Sequence, residues 1–197
     1  GTHMKAAQDS KRSAYLLVLY CYFTDGAMAL TVNAVLKSLL AEYQWTDGQG
    51  GLLIACMSAG LLVSSLIGNS VMERLGRSRT MTMLGLFICV SLGLFSLSPW
   101  PLTFYPLVFV AGLAWGGINS LDNTIVNELY DGSASRLNIM HACFACSAVL
   151  FPLLVGVITM QGGSWRIVPR LVAVLGAILA VLSCRIPLPK RPEANTA

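Results

Sequence analysis

Charge is what this chain has least of. Lysine, arginine, aspartate and glutamate make up 11% of its 197 residues, against roughly 25% in soluble domains. The mean hydropathy is +0.69. So little polar surface cannot cover a water-soluble fold of this size, and the bilayer is the solvent the composition fits. Histidine is scarcer still, with two residues. One of them, His3, lies in a Gly1-Thr2-His3 leader before Met4 that reads as a cloning scar. The first apolar run follows Lys5, Lys11 and Arg12 but lacks the small-residue cleavage site of a secretory signal. A Gly-rich phosphate loop and a Ser/His/Asp nucleophile set are missing as well. An enzyme is therefore not expected, and no cofactor is implied.

What is present is length in apolar runs. A membrane helix needs about 20 mostly apolar residues, and six stretches reach it, at about 14–40, 48–72, 80–98, 102–129, 137–160 and 166–187. The joints between them carry turn residues: Thr46-Asp47-Gly48, Pro99-Trp100-Pro101, Asp131-Gly132-Ser133 and Gly162-Gly163-Ser164. The runs are too long for strands and show no period-two alternation. The expectation is an all-α membrane protein of six transmembrane helices, with a tail at 4–13, a bundle at 14–187 and a second tail at 188–197.

The placement of basic residues orients the bundle. With six spans both tails share a side, and ten of the 13 basic residues lie on it; only Lys37, Arg166 and Arg170 lie opposite. Both termini are therefore expected in the cytoplasm. The net charge of +4 then reflects topology and contact with anionic lipid rather than a nucleic-acid footprint.

One cytoplasmic joint concentrates charge, in Gly68-Asn69-Ser70-Val71-Met72-Glu73-Arg74-Leu75-Gly76-Arg77-Ser78-Arg79. Its Glu73-Arg74-Leu75-Gly76-Arg77 core resembles the D-R-x-G-R signature between helices two and three of the major facilitator superfamily. Glu stands for the usual Asp, Ser78 interrupts the basic pair, and Asn69 stands where a glycine is usual. Two further segments, Gly116–Leu129 and Arg136–Pro152, resemble helices four and five of the fucose and glucose/galactose permease group. Asn123, Leu137, Asn138, His141, Ala145, Ser147 and Pro152 fit that pattern, while Asn119 and Phe151 depart from it. The resemblance implies the N-terminal six-helix half of a twelve-helix transporter. In that family the two halves are parallel repeats. A second half would come either from another copy, as a homodimer, or from a longer chain whose central loop begins near Pro187-Leu188-Pro189-Lys190-Arg191. By the same resemblance Glu73, Arg74, Gly76 and Arg77 form a gating element, with Glu73 pairing to a basic group or a helix N-terminus. The alternative role for the arginines is topological anchoring alone.

Ionisable groups inside a span are costly and mark pathways or partners. Asp25 lies roughly 16 Å into the first helix, close to the bilayer midplane. On the fourth helix Asn119, Asp122 and Asn123 fall within an arc of about 100°, with Trp115 on the same side. On the fifth, Asn138 and His141 share a face. These seven residues are the candidate substrate and proton site; the alternative is that they hydrogen-bond one another structurally. No basic residue accompanies them at that depth, which suits neutral, sugar-like solutes over anions; a proton-coupled drug or metabolite exporter and a non-transporting membrane subunit are the other readings. Cys143 and Cys146 with His141 nearby supply too few ligands for zinc, so no metal is expected. All six cysteines are expected as small buried residues. Tyr15, Trp100 and Trp165, near span ends, are expected as interfacial anchors.

Overall fold

The computed structural model describes residues 2–190. Six α-helices follow one another: α1 Thr2–Tyr43, α2 Asp47–Leu75, α3 Arg77–Leu97, α4 Phe104–Leu129, α5 Ala134–Met160 and α6 Ile167–Arg185, with one 3₁₀ turn at Pro101–Thr103 before α4. Each helix is long and apolar enough to cross a membrane. The main departure from expectation is at the start. Residues 4–13 continue α1 without a break, because Met4-Lys5-Ala6-Ala7-Gln8 are strong helix formers and neither glycine nor proline interrupts the run. At 42 residues this helix is about 63 Å long, so its polar first turns extend past the hydrocarbon. The expected tail at 188–197 lies outside the described residues from 191 onward.

Helix ends follow local chemistry. Thr46 and Gln49 form a reciprocal capping box at the start of α2, the Thr46 hydroxyl accepting from the Gln49 amide at 3.3 Å and the Gln49 side chain accepting from the Thr46 amide at 2.9 Å. Gly76 separates α2 from α3 at φ 82°, in the region that a Cβ disfavours.

In the membrane apolar side chains gain little by leaving lipid, so helices associate through close backbone approach. α2 packs on α4, α3 on α6, and α1 on α5, while α1 and α4 meet at the centre. The α2–α4 seam rests on Gly60, Gly112 and Gly116. A Cβ at Gly112 would lie 2.0 Å from the Met57 carbonyl oxygen, and one at Gly116 2.0 Å from the Ser64 hydroxyl. α3 and α6 cross in the same way at Gly85 and Gly176. The outward faces of α3 and α6 are large and aliphatic, with Leu86, Val90, Leu94, Leu171, Val174, Ile178 and Val181 exposed. Those of α2 and α5 mix aliphatics with small and polar residues, among them Gly51, Ala55, Ser58, Ala59, Asn69, Asn138, His141, Ala142 and Ala145.

The aromatic ends correct two expectations. Tyr15 and Trp165 are 5% and 4% exposed, so they are packed inside the bundle, whereas Trp100 is 70% exposed. Tyr15 donates to the Arg136 carbonyl at 2.9 Å and packs edge-on against Tyr130, and the Arg136 guanidinium and the Lys11 ammonium lie over the Tyr130 ring. At the opposite end Arg166 donates to the Ser96 and Ser98 carbonyls at 3.2 and 2.9 Å, to Glu42 at 2.9 Å, and to the Tyr43 hydroxyl. Trp165 adds a bond to Glu42. One arginine thus ties together the ends of α1, α3 and α6. The cysteines also differ from expectation. Cys21 alone is buried; Cys56, Cys89 and Cys143 are half-buried, and Cys146 and Cys184 are exposed.

Candidate functional site

The chemistry-bearing residues gather in two places, a central polar cluster and the joint between α2 and α3. The centre is built on α1 and α4. Cys21 and Asp25 stand one turn apart on α1, and Asp122 faces them from α4, with the Cys21 thiol beside it. Asp25 and Asp122 are both 0% exposed. Apart from the Cys21 thiol beside Asp122, none of their four carboxylate oxygens has a hydrogen-bonding group next to it among the described residues. A buried acid without a counter-charge is a large local cost, and two of them facing each other is an arrangement that pure packing does not explain.

The rest of the predicted site surrounds this pair. Tyr22 donates to Asn119 Oδ1 at 2.6 Å, joining α1 to α4. Asn123 turns back on its own helix, its amide donating to the Asn119 carbonyl at 2.7 Å. The His141 ring stands edge-on to Tyr22 with centroids 5.4 Å apart, and Phe144 packs at a tilt against the same ring at 5.3 Å. His141 and Asn138 are exposed on α5, while Trp115, Asn119 and Asn123 are half-buried on α4. The seven residues therefore divide by depth. Asp25 and Asp122 sit inside the bundle, and the other five lie at or near its polar face. Asp122 and Asn123 are neighbours in sequence yet differ in burial, because a helix turns 100° per residue. Tyr22 is not among the seven expected residues. Its position three residues before an intramembrane acid was the available signal.

At the joint, the second arginine of the signature turns inward. Arg77 is 8% exposed and grips Glu128, at the end of α4, with two nitrogens at 2.5 and 2.7 Å. Its guanidinium also donates to the Pro189 carbonyl at 3.2 Å, and the Leu188 amide donates to the Ser78 hydroxyl at 3.4 Å. The joint, the end of α4 and the segment after α6 thus share one charge-assisted knot. Arg74 and Arg79 are exposed, as is Glu73. A cleft of about 800 Å³ opens here, lined by Glu73, Arg77, Arg79, Glu128 and Lys190 among others. Glu128 was not anticipated, since a pairing across helices leaves no local spacing to read.

Six membrane-crossing helices, a glycine-hinged acidic and basic joint after the second, and polar groups on α1, α4 and α5 describe half of a known architecture, and residues 18–197 match the Major Facilitator Superfamily. The chain belongs to this superfamily. Its fold is similar to about half of the xylose transporter XylE from E. coli in an inward-open conformation, with a TM-score of 0.71 at 15% identity over 90% of this chain and 48% of that one. The glucose/mannose transporter GlcP of Bacillus subtilis is 24% identical over 73% of this chain and 36% of its own length. The cis,cis-muconate transport protein of Acinetobacter baylyi is 26% identical over 86% and 41%. The transporter svop-1 of Caenorhabditis elegans, whose function is itself inferred, is 22% identical over 87% and 33%. The chain thus spans between a third and a half of the length of these relatives. It is a multi-pass integral membrane protein of a transporter family and not an enzyme.

Proposed function

We propose that this chain is one six-helix half of a secondary transporter that moves a small polar, sugar-like solute by alternating access, coupled to protons at Asp25 and Asp122. The observation that carries the reading is the pair of fully buried carboxylates with no hydrogen-bonding group beside them but the Cys21 thiol among the described residues. Two acids in a low-dielectric interior with no counter-charge require an added positive charge, and a proton is the smallest that fits. A group whose charge state changes as it is exposed to one side and then the other is what coupling needs. The polar face provides solute contacts of the neutral kind: Asn119, Asn123, Asn138, His141 and the rim of Trp115.

A solute site at a face needs an opposing wall. The small and polar residues on the outward faces of α2 and α5 suit contact with further helices, and the relatives are two to three times longer than the matched region. We therefore read the functional unit as this half with a second six-helix half, either a second copy of the chain or a fused one. The basic residues on both termini support a cytoplasmic side for them, and a bacterial inner membrane is the location that goes with this reading. The joint at Glu73, Arg74, Gly76 and Arg77 acts as the cytoplasmic gate, closed by the Arg77–Glu128 grip.

GlcP supports a sugar as solute. A second reading, an organic acid, draws on the muconate relative and on Lys37, which is exposed on α1 one turn beyond exposed Asn33. Uptake into proteoliposomes separates them. Glucose uptake driven by an inward proton gradient, with muconate failing to compete, is the expected result. Muconate uptake that is lost in Lys37→Gln would assign the acid instead, and no flux of either would refute the reading.

A further inference from the structure

Asp25 and Asp122 are 0% exposed, and yet a proton site must be reached. One side chain lies near both carboxylates and also touches the polar face. Tyr22 is 3% exposed, lies within electrostatic reach of both carboxylates, and packs edge-on against His141, which is exposed on α5. Phe144 supports the ring from the same helix. Cys21, the residue before it, is 0% exposed and lies beside Asp122. Tyr22 is also held in place. Its hydroxyl is bound at 2.6 Å to Asn119, a half-buried residue of the polar face.

We propose that Tyr22 is the positioning residue that closes the polar face over the Asp25–Asp122 pair, with the Asn119 side chain as its latch. A tyrosine suits this task. Its ring excludes water as a rigid plate, and its hydroxyl needs a partner that a passing solute hydroxyl can replace. A polar solute that hydrogen-bonds Asn119 competes with Tyr22 for Oδ1. Its arrival frees the ring to swing and opens the acids, so solute binding and proton access become one event. The role as a door rests on the proton-site reading for its purpose but not for its test.

Cys21 supplies a readout at the site itself. In the full chain in membranes, modification by N-ethylmaleimide is followed residue by residue by mass spectrometry, with exposed Cys184 as the internal reference. The wild type modifies Cys21 slowly. Tyr22→Phe keeps the plate and removes the latch, and raises the Cys21 rate about fivefold, the weight of one hydrogen bond. Tyr22→Ala removes the plate and raises it much further. A wild-type rate in Tyr22→Phe overturns the latch, and a wild-type rate in Tyr22→Ala overturns the door. Should Tyr22→Ala fail to fold, Tyr22→Phe decides. Asp25→Asn serves as the separate control on function. If it keeps proton coupling while Tyr22→Ala exposes Cys21, the proton reading falls and the door stands.

Discussion

Arg77 and Glu128 show how a single pair ties the end of α4 to the joint between α2 and α3. Taking an arginine to 8% exposure is costly, and the cost is offset by two nitrogens on one carboxylate and a third contact to the Pro189 carbonyl. Removing one partner strands the other. Arg77→Gln is expected to lower stability by about 1–3 kcal/mol, the range for a broken pair that is only partly buried. The cleft at this end should also open, so that a cysteine placed at Thr124, which lines it, reacts faster with a soluble maleimide. Equal melting temperature and equal labelling in Arg77→Gln and wild type would show the arginine to be a topological anchor only. The signature's form was readable in the sequence, but not which of its arginines turns inward, because Arg74 and Arg77 differ only by their place relative to the glycine hinge. The depth of Asp25 could likewise be counted along its helix. The inward turn of Asp122 could not, since it stands beside Asn119 and Asn123 on one arc, and only packing against α1 separates them.

At the scale of elements, the helices were legible because the bilayer sets their length, and length survives without any knowledge of partners. Partner choice was not legible. The α2–α4 seam joins helices separated by α3, and what selects it is backbone approach at Gly60, Gly112 and Gly116. The small-xxx-small spacing of Gly60, Ser64 and Gly68, and of Gly112 and Gly116, is readable in the sequence, but it does not say which helix each stripe meets. Gly112→Val is expected to force α2 from α4, because a Cβ there meets the Met57 carbonyl at 2.0 Å. The cost should reach about 3 kcal/mol or more, the upper range for overpacking, seen as loss of a monodisperse peak on size exclusion. Gly68→Val, where an added Cβ meets nothing within 4 Å, is the matched control and should run as wild type. The same ambiguity explains the aromatic ends. A tryptophan near a span end can face headgroups or neighbouring helices, and Trp165 faces inward because Glu42 offers its indole an acceptor.

On the proposed reading, the whole molecule is one wall of a transport path. Its composition announced a membrane protein, and the resemblance in the charged joint announced the family, but solute and driving ion depend on a few side chains whose burial emerges only after the helices are packed. These levels meet at one place: two buried acids without a counter-charge on α1 and α4, beneath Tyr22 and a polar face. On the proposed reading this pair carries the coupling proton. The direct test reconstitutes wild type, Asp25→Asn and Asp122→Asn and compares uptake driven by a proton gradient with solute counterflow at equal pH on both sides. Wild type should do both. The neutral variants should keep counterflow, since alternating access needs no proton once the charge is gone, and lose the response to the gradient. Gradient-driven uptake that persists in both Asp25→Asn and Asp122→Asn would contradict the account.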